Sequence, residues 1–214
     1  MQIKAAIIDF DGTIVNNDIL DLLCDLAGKK HESEKLNKLF HKGKVNGLTG
    51  LTQRINFLSG LSISQIHRTL EENTYLKPGA KELFTYLKEH NIVTIIASGN
   101  IVTVLNFYQN LLGADYVIGS KPIIKDGRIV SISEKDYPGL DFKIIESKTL
   151  LKKLNISEES IISIGDSPAD IGIFKLAKIS ISIDPKSGIE EYTNYTIKND
   201  LHHAIPILNN LLKN

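Results

Sequence analysis

The 214 residues contain one cysteine, one methionine and no tryptophan, and 25 basic and 25 acidic side chains cancel to a formal net charge of zero. Each shortage excludes something. A single thiol, Cys24, cannot close an intramolecular disulfide, so a disulfide-stapled secreted scaffold is excluded and the fold has to rest on a hydrophobic core. Cys24 lies among Leu22, Leu23 and Leu26 and reads as a small buried hydrophobe. Zero net charge provides no overall field to steer nucleic acid or an anionic membrane, so neither is an expected partner and any phosphate site has to be built locally. No apolar run approaches the roughly 18 residues of a membrane span, and the first apolar strand begins too close to Met1 to leave room for a signal peptide. The expectation is a soluble, cytoplasmic protein. The histidines, His31, His41, His67, His90, His202 and His203, show no metal-ligand spacing, and no internal repeat or low-complexity segment is present.

What is present is ordinary globular material, 42% hydrophobic and 23% charged, in a length that suits one large domain with an insertion or two small ones. The apolar run from Ile3 to Ile8 ends in Asp9-Phe10-Asp11-Gly12-Thr13. Isoleucine and alanine in such a run predict a buried parallel strand, and because a strand alternates its faces, Asp9 and Asp11 fall on one side. In an open α/β sheet, ligands bind beyond the carboxyl ends of the strands, which is where this pair stands. A plain polar turn at a strand end is the other reading of the pair.

Helical periodicity follows. Ile19, Leu22, Leu23 and Leu26 predict one helix stopped by Gly28, and Leu36, Leu39 and Phe40 a second from about Glu32 to Lys42. Gly43, Gly47 and Gly50 predict a loop. Leu51, Ile55 and Leu58 predict a third helix, and Ile63, Ile66 and Leu70 a fourth capped by Ser62 or Ser64. Residues 15–77 therefore read as an all-helical insertion, with 1–14 and 78–214 forming the core. After Pro78-Gly79 the pattern alternates. Helices are predicted over about 80–89, 101–112, 142–154, 168–177 and 201–212. Strands are predicted at Ile92–Ala97, Tyr116–Ile118, Ile161–Ile164, Ile179–Ile183 and Tyr195–Ile197. Asp126-Gly127 between Ile123-Ile124 and Ile129-Val130 is the dipeptide of a type I′ hairpin turn. Strands separated by helices imply right-handed crossovers and a Rossmann-like three-layer α/β fold with a parallel sheet, carrying a small helical cap and a β-hairpin flap.

Three of these buried strands end in polar residues suited to one reaction: Asp9 and Asp11, then Ser98-Gly99, then Gly165-Asp166. Transfer of a phosphoryl group from a monoester needs a nucleophile, a proton donor for the leaving oxygen, a metal and positive charge around the phosphoryl oxygens. Asp9-Phe10-Asp11-Gly12-Thr13 resembles the first motif of the haloacid dehalogenase superfamily of phosphotransferases. Ser98-Gly99, a lysine, and Gly165-Asp166-Ser167-Pro168-Ala169-Asp170 match its later motifs in order, over nearly the whole chain. Within the superfamily the helical cap after the first motif, the hairpin and the lysine spacing are similar to those of the phosphoserine phosphatases.

The resemblance implies a Mg²⁺-dependent phosphomonoester hydrolase that works through an aspartyl-phosphate, with phosphoserine as the small-molecule substrate. Asp9 would be the nucleophile and Asp11 the general acid and base. Ser98 and Gly99 would bind the phosphoryl group, although Ser98 also reads as a helix N-cap. Asp9, Asp166 and the Asp11 backbone carbonyl would hold the metal. Asp170 would support it, although Ser167-Pro168-Ala169-Asp170 also reads as a capping box. The phosphate-binding lysine is Lys143 or Lys148; these lie about 140° apart around a helix, so both cannot face one site, and the family spacing favours Lys143. In the cap, Asp18 stands where relatives carry glutamate and Arg54 matches their arginine, so the pair would recognise the amino and carboxylate groups of the substrate. An N-cap for Asp18 and a surface charge for Arg54 are the alternatives. Gly47, His41, Asn100 and Ala169 depart from the family pattern, the last two at the border of the site. Other readings of the same motifs are a phosphatase for a different small metabolite and a non-catalytic phosphate-binding regulator.

Overall fold

The computed structural model describes residues 2–186 and 188–213; the side chains of His41 and Lys213 lie outside the described residues. A six-stranded sheet runs through it, formed by β1 (Ala5–Ile8), β2 (Val93–Ile101), β3 (Tyr116–Ser120), β6 (Ile161–Gly165), β7 (Ile179–Ile183) and β8 (Tyr195–Ile197) in the order β3-β2-β1-β6-β7-β8. All five pairings are parallel. β1 is central and fully buried, which its unbroken Ala-Ala-Ile-Ile requires, because helices cover both faces of a parallel sheet. On one face Ile8, Phe10, Ile96, Ile162 and Ile164 pack with Leu83, Leu87 and Tyr108. On the other Ile7, Ile95 and Ile161 pack with Phe142, Leu151 and Phe174. The expected three-layer α/β architecture is borne out.

The helices between β1 and β2 are α1 (Ile19–Leu26), α2 (Lys30–His41), α3 (Gly47–Asn56), α4 (Ile63–Glu72) and α5 (Ala80–Glu89). Later ones are α6 (Val102–Leu112), α7 (Phe142–Lys153), α8 (Ile171–Leu176) and α9 (Ala204–Lys213). The chain leaves β1 and returns from α4 side by side: the Asn16 amide donates to the Tyr75 carbonyl and the Lys77 amide to the Ile14 carbonyl, both at 2.9 Å. β4 (Ile123–Lys125) and β5 (Arg128–Ser131) form the hairpin, with Asp126 and Gly127 at φ of 50° and 69° as a type I′ turn demands. The hairpin is tied to the stretch between α3 and α4 by main-chain bonds from the Gly60 amide to the Ile129 carbonyl, from the Ile129 amide to the Leu61 carbonyl and from the Ile63 amide to the Gly127 carbonyl.

Three elements differ from expectation. α3 begins at Gly47, so Gly47 and Gly50 are helical, because the Asn46 side chain accepts from the Thr49 amide at 2.8 Å and caps the helix there. β2 continues past Ala97 to Ile101, since after a register shift Ile101 pairs with Ser120 on β3. The stretch Pro168–Asp170 is a separate 3₁₀ turn ahead of α8, held by the Ser167–Asp170 capping box.

Candidate active site

Register brings the motifs together. Ile8 lies beside Ile96 on β2 and Ile164 on β6, and the Asp9 amide donates to the Ile164 carbonyl at 2.9 Å. The residues that follow, Asp9 and Asp11, Ser98 and Asp166, therefore meet at one edge. Gly12 makes the turn possible: its φ is 87°, and a Cβ there would sit 2.2 Å from Asp166 Oδ2.

Asp9 belongs to a cluster of three acids with Asp166 and Asp170. Lys143 Nζ donates to Asp9 Oδ1 and to Asp170 Oδ1, both at 2.8 Å, with only 11% of its side chain exposed. Lys148 lies elsewhere, an exposed partner of Glu158 at 3.5 Å. Asp170 is wholly buried, and its Oδ2 accepts from the Asp166 amide, the Ser167 amide and the Ser167 hydroxyl. Both of its oxygens are thus engaged, one by the cap and one by Lys143. Asp166 Oδ2 meets Lys186 Nζ at 2.8 Å, while its Oδ1 is buried without a hydrogen-bond partner. Burial, joined by the charge of Asp170, pushes the Asp9 carboxyl up, and Lys143 pulls it down. Burial likewise raises Asp166 against the opposing pull of Lys186.

Carboxylate oxygens of Asp9, Asp166 and Asp170 lie within 4.8 Å of one another. An all-oxygen set of buried acids, one oxygen of which is buried without a partner, fits a hard divalent cation, whose charge would offset the mutual repulsion.

Asp11 has different neighbours. Its Oδ1 accepts from the Ile19 amide at 2.8 Å, at the positive end of α1, and Ser98 Oγ is 3.3 Å from its Oδ2. Asn100 Nδ2 lies 3.2 and 3.1 Å from its two oxygens. Burial and then the charge of Asp18 raise the Asp11 carboxyl to about 7, against the pull of the Ile19 amide, Asn100 and Arg54. Two carboxylates two positions apart thus have unlike hydrogen-bond partners, Asp9 the ammonium of Lys143 and Asp11 the neutral donors Ile19, Ser98 and Asn100. Ser98 does not cap α6, whose N-cap is Ile101; its hydroxyl instead accepts from the Asn100 amide at 3.0 Å. Gly99 faces the α3 side chain Leu51, 3.2 Å from the position of a Cβ.

Beyond Asp11, the start of α1 meets α3. Arg54 Nη2 donates to Asp18 Oδ1 at 2.7 Å and to Asp21 Oδ1 at 2.8 Å, and its Nε donates to Ser33 Oγ at 2.9 Å. Its side chain is 11% exposed, so it is not a surface charge. Asp18 also caps α1 by accepting from the Asp21 amide at 2.9 Å, the alternative reading of this residue. Ser33 and Asn37 from α2 donate to the two oxygens of Asp21. Asp21, Ser33, Asn37 and Lys186 were not singled out by the sequence reading. Asp21 was within reach of it, three residues after Asp18 on the same helical face.

The haloacid dehalogenase-like hydrolase family matches residues 6–175, and the chain belongs to this family. The protein is 29% identical over 205 residues to the phosphoserine phosphatase of Methanocaldococcus jannaschii, a match covering 94% of this chain and 96% of that one. It is 27% identical over 205 residues to the phosphoserine phosphatase of Archaeoglobus fulgidus, covering 92% of this chain and 57% of that one. A solved structure described as a phospho-aspartyl intermediate analogue of phosphoserine phosphatase superposes with a TM-score of 0.84 at 28% identity, covering 97% of this chain and 99% of the other. The resemblance read from the four motifs is borne out. Among the described residues no helix is long and apolar enough to cross a membrane.

Proposed function

We propose that this protein hydrolyses a small phosphomonoester carrying an ammonium and a carboxylate group, with phosphoserine as the compound of that class, through an aspartyl-phosphate on Asp9. The observation that carries this reading is the unlike setting of the two aspartates after β1. Asp9 faces Lys143 and the acidic cluster, where a phosphoryl group would find positive charge. Asp11 is held apart by neutral donors, with a carboxyl near neutrality that suits a proton carrier.

In the first step an Asp9 oxygen attacks phosphorus, the ester P–O bond breaks, and Asp11 gives its proton to the leaving alcohol. In the second, Asp11 takes a proton from water as the water oxygen attacks phosphorus. The bond to Asp9 then breaks, releasing phosphate and restoring the carboxylate. Lys143 and the Ser98 hydroxyl would bind phosphoryl oxygens, and Asp170 would hold Lys143 in place. Asp9, Asp166 and the Asp11 carbonyl would hold Mg²⁺, which supplies positive charge to the phosphoryl oxygens when bound. Residues 15–77 would act as the substrate-selecting cap on a core of 1–14 and 78–214, a division supported by the paired crossing strands at Ile14–Asn16 and Tyr75–Lys77. Within the cap, Arg54 would face the substrate carboxylate and Asp18 its ammonium.

The test is phosphate release, with Mg²⁺ present, from phosphoserine, phosphothreonine, sugar phosphates and an aryl phosphate. Marked preference for phosphoserine supports the reading. Turnover of sugar phosphates in its place would discard the substrate, and absence of any release would discard the chemistry.

A further inference from the structure

Asn100 has no role in the family resemblance, which has glycine at this place, yet it makes the most extensive side-chain contact with Asp11. It is 2% exposed, at the bent end of β2 just before the register shift closes on Ile101. Its orientation is fixed by chemistry. Oδ1 accepts from the Ile101 amide at 2.8 Å, so the NH₂ end has to face the other way, and there it meets both carboxylate oxygens of Asp11 at 3.2 and 3.1 Å. Flipping the amide would set an oxygen against a carboxylate and an NH₂ against an N–H, so only one orientation is tenable. The Asn100 amide also donates to Ser98 Oγ at 3.0 Å, which ties the same residue to the second motif.

We propose that Asn100 is a positioning residue: resting on the proposed chemistry, it holds the Asp11 carboxyl group in one orientation toward the leaving oxygen and the attacking water. Without Asn100, Oδ1 is held by the Ile19 amide at 2.8 Å and Oδ2 only by the longer 3.3 Å contact with the Ser98 hydroxyl, so the carboxylate can still swing about χ2, a broad torsion with no strong preference. The Asn100 amide group, spanning both oxygens, removes that freedom, and rotation of Asp11 would break two contacts at once. The glycine of the family pattern would offer the acid no side chain at this place.

A double-mutant cycle tests this against a merely structural role. Asn100→Ala and the milder Asn100→Ser are measured alone and in the Asp11→Asn background, on phosphoserine and on an aryl phosphate, with thermal unfolding to confirm folding. On phosphoserine, where both steps use Asp11, the expected result is a drop in kcat of about 10- to 100-fold with KM within about twofold, as for a misaimed catalytic group. That loss should collapse to about onefold when Asp11 is already asparagine. In the first phase with the aryl phosphate, whose leaving group needs no proton, the Asn100 variants should release one phenol per site in a burst and then slow. An equal loss in both backgrounds, a rise in KM at unchanged kcat, or failure of both variants to fold would overturn the proposal. Inactivity of the unaltered protein on every phosphomonoester would instead overturn the underlying reading.

Discussion

Replacing Lys143 by methionine keeps most of the side-chain volume and removes the ammonium that lies 2.8 Å from both Asp9 and Asp170. Asp170 is fully buried and Asp9 nearly so, with Asp166 close by, so the deletion leaves like charges facing one another in a desolvated place. Breaking a buried pair in this way costs about 3–5 kcal/mol. For a chain of this size each kcal/mol moves the unfolding midpoint by about 2–4 °C, so the metal-free variant should melt roughly 10 °C below the parent at pH 8. The sign of the pH dependence follows from linkage. Lys143 is raised above its ordinary value and stays protonated throughout the range below pH 8, so it contributes no slope there. The Asp9 carboxyl, already raised by burial, rises further without it, and the folded variant binds protons more tightly than the unfolded chain. The deficit should therefore shrink as pH falls from 8 toward 5. Divalent cation should also stabilise the variant more than the parent, because it replaces the missing charge. Calorimetry or fluorimetry with and without Mg²⁺ at both pH values reads all of this. A variant as stable as the parent in metal-free buffer at pH 8 would refute the reasoning.

Asp11→Asn should raise the metal-free unfolding midpoint at pH 8 and leave it unchanged near pH 4. Asp11 is raised from 3.8 to about 7, so its ionised form is disfavoured in the folded state, and the penalty develops as pH rises through that window; a shift to lower midpoint at pH 8 would contradict it. Arg54→Ala should lower kcat/KM for phosphoserine by about 100-fold or more but for an aryl phosphate by less than about tenfold, since only the former has a carboxylate to lose. Its stability cost should be modest, about 1–2 kcal/mol by urea titration, because Asp18 and Asp21 keep 38% and 31% of their side chains exposed and can rehydrate. Equal losses on both substrates would remove Arg54 from substrate recognition.

The sheet was legible because its inner strands are buried on both faces, so Ala5–Ile8 and Ile161–Ile164 read as isoleucine-rich, mainly apolar stretches, while Ile179–Ile183 reads as a strand by its Ile-Ser alternation. The Asp126-Gly127 turn was legible because only a few dipeptides tolerate two positive φ angles in succession. Gly47 and Gly50 misled, since glycine propensity argued for a loop and the Asn46 cap together with packing of α3 outweighed it. The extension of β2 to Ile101 could not be read locally: it depends on pairing with Ser120, whose hydroxyl also donates to the Gly99 carbonyl at 2.6 Å. Asp9 and Asp11, the proposed catalytic pair, declared themselves by falling two positions apart at a strand end. Asp21, Ser33 and Asn37 around Arg54 did not, because their partners come from separate helices and each residue alone looks like a solvated helix face. Lys186 reaches Asp166 from a loop after β7, with no local signal to mark it.

Whether Asp9 carries the phosphoryl group is read by acid-quenched mass spectrometry of the protein during turnover with Mg²⁺. The Asp11→Asn variant given an aryl phosphate, whose leaving group needs no proton, is the one to trap, since the intermediate still forms while its hydrolysis is slowed. One phosphoryl group on the peptide containing Asp9, labile to hydroxylamine and missing in Asp9→Asn, is the predicted result. Steady phosphate release from a protein that never carries phosphate on that peptide, or undiminished turnover by Asp9→Asn, would contradict the account.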